Sequence, residues 1–278
     1  MTRLIAFFSV FLLTFAPASA EDAHPTPFDE NYEAMAVVDA ALAEAVTEHK
    51  RLLLVLGANW CHDSRALAHH FESEALSDLI ETHYVVRYID VGFREQNLPV
   101  EHRFGVAAIY ATPTVFIIDP ASETLLNRHS TEYWTTAASR PVEDALAYFT
   151  RWIDAGSDQD GLIAASIVYQ SMMTEIEVFE AEEGERLASA YADIARWRDL
   201  ADADRPENFD ALDQEVEMWR RRMVRQVRRL REEAERGVTD ALAAYADGRE
   251  ITLEVVAGFD QTDPDLPLRI QPHESDVW

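Results

Sequence analysis

The chain has 278 residues, 48% of them hydrophobic, with 51 acidic residues against 24 basic ones and a net charge of -27. That balance argues against nucleic acid and anionic lipid as partners, because either polyanion would be repelled. One cysteine, Cys61, excludes an internal disulfide, so packing must hold the fold, and the thiol is either buried and inert or exposed and used.

In chain order, residues 1–20 carry Arg3, an apolar run from Leu4 to Phe15, and an Ala18-Ser19-Ala20 end, the layout of a secretory signal peptide. A mature chain starting at Glu21 is then expected to be exported, periplasmic in a Gram-negative cell and secreted otherwise. The alternative is a retained anchor, but the run is shorter than the roughly 20 residues of a membrane span. No later segment is apolar enough to cross a bilayer, so no membrane span is expected in the mature chain. Residues 21–31, polar and holding Pro25 and Pro27, read as a flexible lead-in.

Residues 32–155 read as one domain. Met35, Val37, Val38, Ala41, Leu42 and Val46 recur at helical spacing between Tyr32 and His49. Arg51 to Gly57 is a short, continuously apolar strand of the kind buried on both faces of a sheet. A helix is expected from Cys61 to Phe71, continuing after a break from Ser73 to Thr82, and then a β-branched and aromatic strand from Tyr84 to Val91. Arg94 to Ala108 is irregular or partly helical. Thr114 to Ile118 is an apolar strand stopped by Asp119-Pro120, with Thr124 to Arg128 as its hairpin partner. Pro141 opens a helix running to Asp154 with Val142, Leu146, Phe149 and Ile153 on one face. This order predicts an α/β sandwich, a central mixed sheet flanked by helices.

Residues 156–161, GSDQDG, form a linker, and 162–247 a helical hairpin. The first arm carries Ile163, Ile167, Met172, Ile176, Phe179, Leu187, Ile194 and Trp197. The second carries a heptad stripe of Phe209, Leu212, Val216, Trp219, Met223, Val227, Leu230 and Ala234. That stripe reads as an internal core, with a self-association seam as the alternative. Arg220 to Arg231 holds seven arginines in twelve residues. It reads as a solvated face matched by Glu215, Glu217, Glu232, Glu233 and Glu235, and by Glu175, Glu177, Glu182, Glu183 and Glu185 of the facing arm; the alternative is an anion or partner site. Residues 248–278 begin with a β-like ITLEVV run and end in prolines and acids, an extended or disordered tail.

The strand Leu52 to Leu56, the Trp60-Cys61 pair at a strand-to-helix junction, and Thr112-Pro113 ahead of a hydrophobic strand together resemble the thioredoxin superfamily, over about Tyr32 to Asp154. The resemblance implies a thioredoxin-like sandwich in which Cys61 takes the nucleophilic place and Trp60 flanks it. It also implies that Pro113 is cis and that Thr112 presents its backbone to a bound peptide. Two positions depart from the family: Ser64 stands where the resolving cysteine belongs, and Val55, six residues before Cys61, where many thioredoxins keep a buried acid.

A thiol at a helix N-terminus faces unpaired N–H groups, which favour the thiolate. His62 adds to that when protonated, Ser64 can donate to the sulfur, and Asp63 opposes both by charge. His102 is a candidate base. Cys61, His62, His69 and His70 do not make a metal site, since His62 and His69 lie about 10 Å apart along a helix. A monothiol stops at the mixed disulfide until another thiol arrives. The expected function is therefore extracytoplasmic thiol-disulfide exchange, isomerase-like or assisted by a small thiol, on client proteins with cysteines or disulfides. A thiol reductant or redox partner protein would regenerate the site, and no cofactor is implied. The alternative is a non-catalytic adaptor whose groove and helical hairpin bind a partner protein.

Overall fold

The computed structural model describes residues 26–29, 33–156 and 161–278. The signal-peptide reading of 1–20 and linker residues 157–160 lie outside the described residues. The first domain runs α1 (Ala34–Glu48), β1 (Arg51–Gly57), α2 (His62–Phe71), α3 (Glu74–His83), β2 (Tyr84–Asp90), α4 (Leu98–Arg103), β3 (Thr114–Asp119), β4 (Thr124–Leu125) and α5 (Val142–Arg151). The sheet order is β2-β1-β3-β4, with β1 parallel to β2 and antiparallel to β3.

The apolar run in β1 follows from its central place. Leu52, Leu54 and Leu56 face a core with Val38 and Leu42 of α1 and Val100 of α4, while Leu53 and Val55 face Leu67, Phe71, Ile80 and Phe149. Side chains alternate across a strand, so a strand covered on both faces needs apolar residues at every position. Part of the lead-in is held: Phe28 is buried, its N–H donates to Asn59 Oδ1 at 3.2 Å, and Asn59 Nδ2 donates to its carbonyl at 2.6 Å. That corrects the flexible reading for this stretch.

Two long helices follow, α6 (Ile167–Arg198) and α7 (Phe209–Ala246), then a short α8 (Leu253–Asp260). The heptad stripe is an internal core: Leu212, Val216, Trp219, Met223, Val227 and Leu230 pack against Met172, Ile176, Phe179, Leu187 and Ile194. Ile167, at the first position of α6, is exposed instead. Within the ITLEVV run, Leu253 to Val256 open α8 rather than a strand, and Thr252 caps it by accepting from the Val255 N–H. The last residues form an ordered strap. Arg186 donates to the carbonyls of His273 and Trp278, Gln226 to that of Gln271, and the His273 ring stacks on Trp219 at 4.3 Å. Among the described residues no helix is long and apolar enough to cross a membrane.

The arginine run is in part the expected solvated face, with Arg221, Arg225 and Arg228 exposed and Glu217 and Glu233 pairing with Arg220, Arg221 and Arg229, and in part a set of clamps. Arg220 donates to the Tyr110 carbonyl, Arg222 to His273, Arg229 to the Arg269 carbonyl, and Arg231 to Glu180, an acid outside the matched set read from the sequence.

One buried charge-bearing group has no compensation. Glu101 of α4 is fully buried and neither carboxyl oxygen has a hydrogen-bond partner among the described residues. Burial pushes its carboxyl from 4.5 up to about 9. The unfolded chain releases this proton near pH 4.5 and the folded chain only near 9, so stability is full below 4.5 and falls as pH rises through 9. Glu101→Gln should therefore gain about 3 kcal/mol at pH 7 and flatten the pH dependence of urea unfolding over that window. An unchanged pH profile in the variant would contradict this assignment.

Candidate functional site

β1 ends at Gly57, and four residues later Cys61 caps α2 in an extended conformation, its N–H donating to the Ala58 carbonyl at 3.0 Å. No side chain caps the first turn, so its N–H groups remain open to an anion. Cys61 is 8% exposed, and its sulfur donates to the Thr112 carbonyl at 3.4 Å. The Thr112-Pro113 bond is cis, and its loop lies against the cysteine. Two opposed influences meet at one atom: the carbonyl accepts from the thiol and repels a thiolate, while the open helix end favours the thiolate.

The sequence-derived neighbours divide. Ser64 is fully buried and its hydroxyl has no hydrogen-bond partner among the described residues, so the expected bond to the sulfur is not made. The hydroxyl points to Gly57 instead, where a Cβ would come within 2.5 Å of it and within 2.8 Å of the Phe28 ring. Gly57 is thus required by the close approach of α2 and Phe28, a constraint with no local signature. Asp63 accepts from the Ala138 N–H at 3.0 Å. His62 is exposed at the start of α2. His102 lies beside the Ala107 carbonyl at 3.1 Å and braces its own loop rather than acting beside Cys61.

Trp60 is 46% exposed, stacks on Phe93 at 5.4 Å, and donates from Nε1 to the Gly92 carbonyl. The two rings make an apolar shelf beside the cysteine, with the Arg198 guanidinium 4.5 Å over Phe93. Under the shelf lies Arg94, 5.5 Å from the Trp60 ring and paired with Glu217 of α7 at 3.3 Å. Phe93 and Arg94 were missed because they sit in a segment without periodicity, and the partner of Arg94 is 123 residues away.

The two long helices seat themselves on the loop that leads into the cis-proline. Tyr191 donates to the Ile109 carbonyl at 3.1 Å, Tyr110 to the Glu180 carbonyl at 3.2 Å, and Arg220 to the Tyr110 carbonyl at 3.0 Å. Burial pushes both phenols well above their ordinary range, so they act as neutral donors. Gly184 of α6 allows the contact, since a Cβ there would come within 2.6 Å of the Ala107 methyl.

A mixed four-stranded sheet, a helix opened by a Trp-Cys pair, and a cis-proline loop facing the sulfur define a thioredoxin-like protein. Residues 33–120 match the family described as thioredoxin-like. A solved structure described as the disulphide isomerase from Xylella fastidiosa Temecula1 is 30% identical, with 46% of this chain and 98% of that one covered and a TM-score of 0.43. The comparison with curated proteins finds no match. The chain belongs to the thioredoxin superfamily.

Because helix propensity favours alanine over glycine equally at two helical sites, the difference between them isolates the docking contact. Gly237→Ala, with nothing near the added methyl, should gain about 1 kcal/mol in urea unfolding. Gly184→Ala should instead lose about 1 to 3 kcal/mol. Equal gains at both would mean that α6 does not press on Ala107.

Proposed function

We propose that the protein carries out thiol-disulfide exchange on cysteines of other proteins outside the cytoplasm, with Cys61 as the sole nucleophile. The observation that carries this reading is the place of the sulfur, at the open N-terminus of α2 and 3.4 Å from the Thr112 carbonyl of the cis-proline loop. The match of residues 33–120 to the thioredoxin-like family supports the same reaction class, and the layout of residues 1–20 supports export.

The Cys61 thiol loses its proton to solvent, and the thiolate attacks one sulfur of a client disulfide. A new S–S bond forms, the client bond breaks, and the departing client thiolate takes a proton from water. Ser64 supplies no second sulfur, so the mixed disulfide persists. Another cysteine of the client then attacks it, giving isomerisation with no net redox change, or a small thiol attacks and electrons enter from that thiol. In both cases Cys61 leaves as a thiolate. The Thr112 backbone and the Trp60-Phe93 shelf offer a client segment polar and apolar contacts, and protonated His62 adds positive charge at the entrance.

Burial of the sulfur and its bond to the Thr112 carbonyl favour a second reading, a binding module with an idle thiol. The two separate on covalent capture. Protein taken from its own cells under acid quench should run in mixed disulfides that a reductant releases and that Cys61→Ser abolishes; wholly free Cys61 would favour the binding module. Ser64→Cys should confer dithiol reductase activity in an insulin-reduction assay. Continued inactivity of that variant would mean that the groove does not admit a disulfide.

A further inference from the structure

We propose that Arg94 is a positioning residue for the exchange reaction: its guanidinium, held in place by the two long helices, stabilises the Cys61 sulfur as an anion. The inference rests on the exchange reading of Cys61 and adds a residue that lies outside the motif around it.

Arg94 is 9% exposed, and a buried guanidinium is retained only where anions or acceptors compensate it. Its NH1 reaches Glu217 at 3.3 Å and the Phe93 carbonyl at 3.4 Å, but its Nε has no hydrogen-bond partner among the described residues. The side chain is wedged between the Trp60 ring at 5.5 Å and the Tyr191 ring at 5.9 Å. Trp60 is the residue next to Cys61, so the ring that Arg94 covers ties the guanidinium to the reactive segment. The backbone at Arg94 has φ 86°, a left-handed conformation that a residue with a side chain keeps only when its surroundings enforce it.

Charge counting points the same way. Glu217 is shared by three guanidinium groups, with Arg220 at 2.5 Å, Arg94 at 3.3 Å and Arg221 at 3.5 Å. One carboxylate among three cations leaves a local positive excess, in a chain whose net charge is -27. The group that would offset it is an anion on the Trp60 side of Arg94, and a thiolate at Cys61 is such an anion. Cys61 is a thiolate twice in each cycle, as the attacking group and as the group expelled when the mixed disulfide is resolved. A fixed buried cation serves both moments without reorganisation. The two long helices thereby enter the chemistry: α7 holds the guanidinium through Glu217 and α6 through the Tyr191 face.

The test is charge-specific and does not depend on finding a client. In the full chain, Cys61 is alkylated with iodoacetate, an anion, and with iodoacetamide, its neutral analogue, and the two rates are divided. The ratio should exceed that of a blocked peptide of residues 58–64 by about fivefold, because a local cation attracts only the anionic reagent. Arg94→Met should bring the ratio down to the peptide's, and Arg94→Lys should keep most of it, whereas a merely structural role would move both rates together. A folded Arg94→Met chain with the wild-type ratio would overturn the inference. If that variant does not fold, a wild-type ratio no higher than the peptide's overturns it equally. A high, Arg94-dependent ratio together with wholly free Cys61 in cells would sink the exchange reading while leaving the charge assignment intact.

Discussion

The seating of α6 and α7 on residues 107–112 is the contact on which the rest of the molecule depends. A loop that enters a cis-proline leaves its carbonyls without a ladder, and buried carbonyls need donors. Here the donors come from another part of the chain: Tyr191 for Ile109, Arg220 for Tyr110, and the sulfur itself for Thr112. Three adjacent regions of backbone are thus satisfied by side chains from α6, α7 and the start of α2. The loop, the cysteine and the helical arms therefore behave as one polar network inside an apolar interface, where hydrogen bonds are strong and costly to leave unmade.

That arrangement changes what a helical appendage means. Its arms have their own core, built from the heptad stripe, and the strap from Arg269 to Trp278 lies across them through Arg186, Gln226 and Arg229. The face turned toward the first domain is different in kind. It carries Tyr191, Glu180, Gly184, Glu217 and Arg220, small or polar residues that meet the Ile109 and Tyr110 carbonyls, the Tyr110 hydroxyl, the Ala107 methyl and Arg94. The appendage is a wall of the site, and the apolar shelf of Trp60 and Phe93, with Arg198 above it, is where the two parts present a common surface.

Much of this was legible from residue order. The strands were readable because β1 and β3 are covered on both faces and carry unbroken apolar runs, and the long helices because their stripes repeat every three or four residues. The cysteine at a strand-to-helix junction and the Thr112-Pro113 pair marked the site through their likeness to a known family. Several expectations failed for one reason, that a side chain's partner is chosen in three dimensions. Ser64 faces Gly57 and not the sulfur, Asp63 serves the Ala138 N–H, and His102 braces Ala107. The ITLEVV run has β-branched residues but a threonine cap at its start, and the cap together with packing on α7 and α6 settles it as a helix.

By itself the sequence determined the composition of the cores on the two faces of the sheet and between the long helices, the single thiol at a helix N-terminus, and the absence of a second sulfur one turn later. These are local or periodic properties, written in the spacing of residue types. Only the tertiary structure decided that the thiol meets a carbonyl, that Arg94 lies over the neighbouring Trp60 ring, and that Glu217, over a hundred residues away, holds that arginine. Charge and hydrogen bonding act over a few ångströms of space and are indifferent to separation along the chain, so the electrostatic surroundings of a reactive atom take shape only when distant segments are packed together.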